Sequence, residues 1–310
     1  MALPERLKGK LRLPAIAAPM FLASGPDLVV ECCRSGVIGS FPALNQRSTE
    51  GFVAWLEEIR MRLADVPDAA PFAVNLIVHR SNPRLAADLD EVVKHRVPLV
   101  ITSLGAAAEV VDAVHSYGGL VFHDVINRRH AEKAAQAGVD GIIAVAAGAG
   151  GHAGTLSPFA LVAEIRSFFS GALILSGAMS SGRDIAAARV MGADLAYLGT
   201  RFLATPEALI DPRHKQMIVG AEAADLVYTP SISGVHANFL RESIRAAGLD
   251  PDALPPKTEL DMNKEARAWK TVWSAGQGVG SIHEILPAAQ LCERLIGEYR
   301  AVRFPEEVGV

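Results

Sequence analysis

This sequence contains little cysteine, few aromatic residues and no excess of basic charge, and each shortage excludes a class of protein. Three cysteines occur in 310 residues: Cys32 and Cys33 are neighbours on a predicted helix, and Cys292 is far away in the chain. This usage excludes a disulfide framework and indicates a reduced, cytoplasmic protein. Aromatic residues make up 6% of the chain and the formal net charge is -4, so no nucleic-acid-binding surface is expected.

Long apolar runs and metal-binding motifs are also missing. No stretch of about 18 apolar residues is free of charge, so we expect no membrane span. The run at 13–23 follows basic residues and is similar to a signal peptide, but Pro14 and Pro19 interrupt it, so export is not expected. Neither C-x-x-C nor H-E-x-x-H occurs, and therefore no metal site is predicted.

The first two thirds of the chain repeat one pattern, in which a helical segment ends at a glycine and an apolar run follows at once. Glycine tolerates the left-handed conformation in which many helices end. The pattern occurs at Gly36, Gly118, Gly138 and Gly192. With four further apolar runs, the predicted strands are 15–18, 37–41, 72–76, 98–102, 119–123, 139–145, 172–176 and 193–199.

Eight such runs, each separated by room for a helix, predict an α/β protein with a (β/α)8 barrel, the TIM barrel. A doubly wound sheet is the alternative, but the turn after the first strand reads A-P-M-F-L-A-S-G and lacks the G-x-G-x-x-G pattern of that fold. We expect residues 1–205, completed by 270–310, to form the barrel. The more charged segment 206–269 is predicted to be a smaller helical insertion, a lid or substrate subdomain, and 281–303 a closing amphipathic helix.

One histidine, His152, stands in the glycine-rich segment V-A-A-G-A-G-G-H-A-G-T at 145–155. The segment directly follows the sixth predicted strand, and such loops carry the functional residues of α/β enzymes. Backbone this rich in glycine allows a planar ligand to lie against it, and imidazole titrates near neutral pH. His152 is therefore the candidate general base. The alternative is a flexible surface loop with an incidental histidine.

Other candidate residues lie at the carboxyl ends of the predicted strands, where barrels of this kind carry their chemistry. Glycine and hydroxyl residues after the seventh and eighth strands, beside a helix N-terminus, predict a phosphate site. Asn75 suits a heterocycle edge or caps its strand, and Asp124 contacts a cofactor or has a structural role. His214 and five other histidines are expected on solvated helices or turns. The candidates are Ala18, Pro19, Met20, Asn75, Asp124, Gly150, Gly151, Ser176, Gly177, Ala178, Met179, Gly199 and Thr200.

Several blocks of sequence, in order, make nearly the whole chain resemble the nitronate monooxygenases, also called 2-nitropropane dioxygenase-like proteins. The blocks are A-P-M at 18–20, V-N-L at 74–76, A-G-G-H-A-G at 149–154, S-G-A-M-S-S-G at 176–182, G-A-D-L-A-Y-L-G-T-R-F at 192–202 and W-S-A-G-Q at 273–277. These proteins are FMN-dependent TIM barrels, so the resemblance implies that fold and FMN as the cofactor.

The resemblance also implies roles for single residues. Ala18 to Met20 would run along the isoalloxazine ring and Asn75 would bond its polar edge. Gly177, Ala178, Gly199 and Thr200 would hold the phosphate, Gln277 would reach the flavin region, and His152 would face the substrate as the general base. Two departures stand out: the family's acidic position is Gly148 here, and the segment after the seventh strand reads G-A-M-S-S-G.

The implied reaction is the oxidation of alkyl nitronates or nitroalkanes with O2 to carbonyl compounds and nitrite. Its partners would be that small-molecule substrate and O2. An NAD(P)H:quinone reductase or enoyl-thioester reductase of the same flavin-barrel family is the first alternative, with NAD(P)H as a further partner. A non-catalytic flavin-binding protein is the second, and an IMP dehydrogenase-like barrel, which needs a reactive loop cysteine, is the third. The sequence leaves open the physiological substrate, the choice of NADH or NADPH, and the oligomeric state, including a homodimer.

Overall fold

Eight parallel strands close into a barrel in the order β1-β2-β3-β4-β5-β6-β8-β9, with β9 paired to β1. The computed structural model describes residues 3–105, 108–256 and 271–303. The predicted (β/α)8 barrel is confirmed. The barrel strands are β1 (Ala15–Ala17), β2 (Ile38–Pro42), β3 (Ala73–Ile77), β4 (Leu99–Ser103), β5 (Leu120–Val125), β6 (Gly141–Val145), β8 (Ala172–Ser176) and β9 (Leu195–Leu198).

The barrel strands are mostly apolar because both of their faces are buried. In β8, Leu173 and Leu175 pack outward in the layer beneath the helices, whereas Ile174 points into the barrel interior. Alternation of side chains along a strand makes both layers possible, and a parallel sheet covered on its outer side needs no polar face. This double burial explains why the sequence shows continuous apolar runs at these positions.

Helices surround the barrel, and the last one completes the ring. They are α1 (Pro26–Arg34), α2 (Thr49–Leu63), α3 (Leu85–Lys94), α4 (Ala108–His115), α5 (Arg128–Gln136), α6 (Pro158–Arg166), α7 (Gly182–Met191), α8 (Thr200–Leu203), α9 (Pro212–Gly220), α10 (Arg241–Ala246) and α11 (Ala288–Ala301). Helix α11 packs against both α7 and α1. It begins later than the predicted 281–303, because Pro287 stands immediately before it and 277–281 forms a 3-10 turn.

Glycines end the helices where the sequence pattern placed them. Gly192 follows α7 with a φ of 110°, and its N–H donates to the carbonyls of Ala188 and Arg189. Gly138, after α5, has a φ of 80°. These backbone conformations favour glycine, so the chain can reverse directly from a helix into the next strand.

The segment between β9 and α11 differs from the predicted wholly helical insertion. It contains α9 and α10, but also the strands β10 (Leu226–Thr229) and β11 (Ala237–Leu240), which pair antiparallel. β11 pairs in turn with the two-residue strand β7 (Gly151–His152). Four-residue apolar runs are too short to distinguish strand from helix by periodicity, which explains the missed strands. Residues 257–270 lie outside the described ranges, and the division into barrel and lid subdomain stays a prediction.

Crossing a bilayer requires a long apolar helix, and none occurs in the parts of the chain that the structure describes.

Candidate active site

A cavity of about 1110 Å³ opens at the carboxyl ends of the barrel strands. All of the candidate residues predicted at the strand ends, together with His152, line it. They are Ala18, Pro19, Met20, Asn75, Asp124, Gly150, Gly151, His152, Ser176, Gly177, Ala178, Met179, Gly199 and Thr200. Gln277 does not belong to this lining. One cavity therefore brings together residues from strands spread over most of the barrel.

One wall of the cavity is apolar and held rigidly by hydrogen bonds. It is formed by Ala18 to Met20, after β1. The Met20 N–H donates to Ser24 Oγ at 2.9 Å, and Asn45 Nδ2 donates to the Met20 carbonyl at 3.1 Å. A side chain added at Gly199 would lie 3.7 Å from Met20 Sδ, so the ends of β1 and β9 meet here. Asn45 and Ser24 are supporting residues that the sequence pattern did not reveal.

A row of three polar side chains crosses the ends of β3, β4 and β5. Asn75 Nδ2 donates to Ser103 Oγ at 2.8 Å, and Ser103 Oγ donates to Asp124 Oδ2 at 2.5 Å. Asn75 Nδ2 also donates to the Ile101 carbonyl at 3.2 Å, so both amide hydrogens are used within the protein. Asn75 therefore offers the cavity its carbonyl oxygen, an acceptor. Ser103 was missed, although its place at the end of β4 between two candidates is a signal.

Asp124 is the acidic member of this row, and its surroundings disfavour its charge. Burial raises the pKa of Asp124 from 3.8 to about 6, whereas the hydrogen bond from Ser103 and the charge of His152 lower it. Within the described ranges, Asp124 Oδ1 is buried without a hydrogen-bond partner. Tyr197 on β9 also faces this group: burial, and next the charge of Asp124, raise the pKa of the Tyr197 phenol. A buried carboxyl that titrates near neutral pH is typical of a functional site.

The glycine-rich segment that carries His152 is fixed at several points, which contradicts the alternative of a flexible surface loop. His152 pairs with Ala237 and Gly151 with Asn238 across β7 and β11. The Gly151 N–H donates to Ser274 Oγ at 2.7 Å, and Asn238 Nδ2 donates to the Ala149 carbonyl at 2.7 Å. These bonds come from the insertion and the C-terminal segment, so the histidine has a defined place at the cavity.

The predicted phosphate site after β8 and β9 is only partly free for a ligand. The Ala178 N–H donates to the Gly148 carbonyl at 3.2 Å, so this amide is engaged within the protein. Thr200 Oγ1 accepts from the Gly276 N–H at 2.7 Å but keeps its own hydrogen for donation. Gly177, with a φ of 135°, lines the cavity between these two positions. Any anion site here therefore depends on the other backbone groups and on the Thr200 hydroxyl.

Gly148 and Gln277 are in direct contact. Gly148 has a φ of 83°, and a side chain added there would approach Gln277 Oε1 to 2.8 Å and Ala178 Cβ to 3.1 Å. The Gln277 N–H donates to the Gly148 carbonyl at 2.8 Å. An acidic side chain at position 148 is therefore incompatible with the present position of Gln277. Gln277 is exposed and does not line the cavity.

His214 was predicted to be solvated, and this prediction is wrong. The side chain is buried and stacks on Trp273 with the ring centroids 5.1 Å apart. Burial lowers the pKa of His214 to about 4, and its Nε2 donates to the Ser274 carbonyl at 3.0 Å. His214 thus supports the residue whose hydroxyl accepts from Gly151. No local pattern in the sequence indicates this contact, because Trp273 comes from the C-terminal segment.

Aromatic and apolar side chains form the rim of the cavity. Tyr228 and His236 stack with ring centroids 5.1 Å apart, and the Tyr228 hydroxyl donates to the Ala153 carbonyl at 2.9 Å. Phe21, Ile126 and Leu209 also line the cavity and are exposed. This rim suits the entry of an organic substrate. Among the described residues, no group of three or more His, Cys, Asp or Glu side chains could hold a metal ion.

These features fit a flat heterocyclic ligand that carries a phosphate. The apolar wall at Ala18 to Met20 suits a ring face, and the Asn75 carbonyl oxygen suits a ring N–H. Gly177, Gly199 and the Thr200 hydroxyl suit a phosphate. The volume exceeds the roughly 300 to 1,000 Å³ usual for a ligand pocket, so a second molecule has room beside the first. The residues present therefore fit a flavin together with a substrate.

Comparison with known proteins identifies a protein family for this chain. The profile described as nitronate monooxygenase matches residues 80–298. The chain is 27% identical to a nitronate monooxygenase of Paraburkholderia phytofirmans, over 93% of this chain and 92% of that protein. In structure it is similar to a nitroalkane oxidase from Streptomyces ansochromogenes, with a TM-score of 0.81, 24% identity and coverage of 96% and 98%. It is likewise similar to FabK from Thermotoga maritima, with a TM-score of 0.79, 24% identity and coverage of 96% and 97%.

Proposed function

The chain belongs to the nitronate monooxygenase family, and we propose that it is an FMN-dependent enzyme that oxidises alkyl nitronates and nitroalkanes. The proposed products, formed with O2, are a carbonyl compound and nitrite. That the chain is an oxidoreductase of a flavin-dependent family follows from its membership. The observation that supports the finer proposal is the position of His152, fixed by β11 and Ser274 at a cavity that Asn75, Ser103 and Asp124 also line.

The proposed cofactor contacts are those for which the cavity offers matching groups. Asn75 accepts a hydrogen bond from the ring system, and Ala18 to Met20 contact its face. Gly177, Gly199 and Thr200 bind the phosphate, with Ser176, Met179, Gly150 and Gly151 nearby in the lining. Since the Ala178 N–H and Gln277 are engaged with Gly148, they support the wall around the cofactor. When bound, FMN supplies the electron transfer between substrate and O2.

His152 is proposed as the base that removes the α-proton of a neutral nitroalkane. The α-proton is acidic because the nitro group delocalises the resulting negative charge, so an imidazole suffices near neutral pH. The electron pair of the broken C–H bond enters the C=N bond of the nitronate, and the proton goes to the imidazole. The stacked Tyr228 and His236 and the apolar rim limit the access of water to this position.

The test is a comparison of two substrates in a single variant. We expect His152→Asn to lower the turnover of nitroethane at least about 100-fold, as is usual when a general base is removed, and to spare preformed ethyl nitronate. Nitrite release measures both reactions, and His283→Asn, an exposed histidine outside the cavity, is the matched control. Equal losses on both substrates would remove His152 from the role of base.

A second experiment separates the monooxygenase from an NAD(P)H-dependent reductase. The FMN-loaded protein is mixed anaerobically with NADH or NADPH, and in parallel with ethyl nitronate, while the flavin absorbance is followed. We expect bleaching by the nitronate and none within seconds by either nucleotide. Rapid bleaching by NADH or NADPH, with no nitrite released from either nitro substrate, would overturn the proposed function in favour of the reductase.

A further inference from the structure

Strained backbone is concentrated at the wall of the cavity. Among the residues that the structure describes, four that are not glycine have a left-handed φ of 46° to 61°: Leu22, Arg96, Leu104 and Ala178. All of them except Arg96 line the cavity. This conformation is unfavourable for a residue with a side chain, whereas glycine adopts it freely. A leucine at such a position therefore indicates that its side chain has a role in the cavity.

Leu22 is fixed in this conformation by one side chain, that of Asn45. The Leu22 N–H donates to Asn45 Oδ1 at 2.8 Å. Asn45 Nδ2 donates to the Ser24 carbonyl at 2.8 Å and to the Met20 carbonyl at 3.1 Å. Asn45 ends the 3-10 turn that follows β2, so it holds the turn after β1 from the neighbouring strand. These three hydrogen bonds offset the unfavourable backbone conformation of Leu22 and fix where its side chain begins.

Three more apolar side chains line the same side of the cavity mouth. Phe21 precedes Leu22 in the turn and is 37% exposed, and Leu44 belongs to the 3-10 turn that holds it. Leu209 is 53% exposed, and its N–H donates to the Ala23 carbonyl at 2.8 Å, which joins the insertion to the turn. We call Phe21, Leu22, Leu44 and Leu209 the mouth cluster. It leaves an apolar surface open towards the cavity.

The polar groups beside the mouth cluster are used within the protein. The Met20 carbonyl accepts from the Ser24 N–H at 3.0 Å as well as from Asn45. Asp211 and Arg213, which follow the cluster in the chain, pair with each other at 2.9 Å. An apolar surface whose polar neighbours are already bonded favours an alkyl chain over a polar ligand, because a polar group would lose its bonds to water here.

We propose that Leu22 is a specificity-determining residue and that the mouth cluster is a subsite for the alkyl chain of the nitronate. Each methylene that moves from water into such a subsite strengthens binding about fourfold. Asn45 acts through Leu22 and is a positioning residue. This inference rests on the proposed function and names the substrate class of that site, nitronates whose chain is long enough to reach the mouth.

The first test compares ethyl, butyl and hexyl nitronate in the FMN-loaded full chain, with kcat/KM measured by nitrite release. We expect the wild type to prefer hexyl over ethyl nitronate at least about tenfold. Leu22→Asn should lower this ratio at least about fivefold, because asparagine tolerates the left-handed conformation but is polar. Arg96→Gly, at an exposed left-handed residue outside the cavity, is the matched control and should keep the ratio. A wild type without preference for the longer chain, or an unchanged ratio in Leu22→Asn, would overturn the inference.

The role of Asn45 is tested by combining two changes. Asn45→Ala removes the acceptor of the Leu22 N–H, and we expect the ratio of hexyl to ethyl nitronate to fall about as far as in Leu22→Asn. Adding Asn45→Ala to Leu22→Gly should lower the ratio by less than about twofold further, because the side chain through which Asn45 acts is already gone. A merely structural role would lower kcat/KM for all three nitronates alike and leave the ratio unchanged, and that result would remove Asn45 from the positioning role.

The last test does not depend on turnover. 1-Hexanol, which carries the same chain without a nitro group, is titrated calorimetrically into the FMN-loaded wild type and Leu22→Asn. We expect the wild type to bind it at least about fivefold more tightly than the variant. Equal affinities, or no binding to the wild type, would reject the inference. If the wild type oxidises none of the nitronates, the proposed function fails, and the 1-hexanol titration still decides whether the mouth cluster binds an alkyl chain.

Discussion

The free energy of unfolding is expected to rise when Asp124 is replaced by asparagine, by an amount that depends on pH. Burial raises the pKa of Asp124 from 3.8 to about 6, so folding disfavours its ionised form. A group whose folded pKa lies above its unfolded value destabilises the protein at high pH and not at low pH. The cost is absent well below pH 3.8, grows as the pH rises through the interval between the two values, and is complete above about pH 7.

The magnitude follows from the two pKa values. The rise in the pKa of Asp124 from 3.8 to about 6 lowers the free energy of unfolding by about 3 kcal/mol at pH 8. The conversion is about 1.36 kcal/mol for each tenfold change in the ionisation equilibrium. At pH 5 the same relation leaves a cost of about 1.6 kcal/mol. Asparagine removes the charge and keeps an acceptor for Ser103 Oγ, so its gain over the wild type should grow by about 1.4 kcal/mol between pH 5 and pH 8.

Urea unfolding of both proteins, free of flavin and at the two pH values, measures this difference. Any change in the free energy of unfolding that the amide causes by itself is the same at both pH values. It therefore cancels when the two pH values are compared. Asp68→Asn, an exposed residue on the turn before β3, is the matched control and should show no change with pH. If Asp124→Asn raises the free energy of unfolding by the same amount at pH 5 and pH 8, the argument that burial disfavours the ionised carboxylate is refuted.

Two further predictions concern the support of the cavity. Ser274→Ala removes the acceptor of the Gly151 N–H and should cost about 1 to 2 kcal/mol of stability while lowering nitroethane turnover, measured by urea unfolding and nitrite release. Ser116→Ala, on the exposed end of a helix, is its control, and an unchanged stability in Ser274→Ala would contradict the role of this bond. Gly148→Glu should lower both stability, by at least about 1 kcal/mol, and FMN affinity, because its side chain meets Gln277 Oε1 in a left-handed backbone conformation. Adding Gln277→Ala should recover part of that loss, and the absence of any recovery would show that the contact with Gln277 is not the cause.

The barrel could be predicted from the sequence because its signals are local. Each strand is an apolar run, and several follow a glycine that ends the preceding helix, so neighbouring residues are enough to locate them. The strand at Ala172–Ser176 has the predicted bounds, and the one predicted at 139–145 begins slightly later, at Gly141. The residues at the strand ends reach one cavity because parallel strands of a closed barrel end on the same side.

The remaining parts of the site depend on contacts between distant segments, which no local pattern encodes. Ser103 joins Asn75 to Asp124 only because β3, β4 and β5 pair in one particular register. The strand β7 has two residues and exists because β11, from the insertion, pairs with it. His214 is buried because Trp273, much later in the chain, covers its ring. Sequence reasoning found the residues of the cavity wall and missed those that hold the wall in place.

The position of α11 has a consequence for how this protein is made. The ring of helices is closed between α7 and α1 by a helix that lies near the end of the chain. During synthesis, the ring of helices therefore closes only after the segment that carries α11 has left the ribosome. Until then, the apolar flank of α1, including the buried Cys32, stays uncovered, and its partner Cys292 has not yet emerged. The flank of α1 that α11 covers is therefore among the last apolar surfaces of the barrel to be buried.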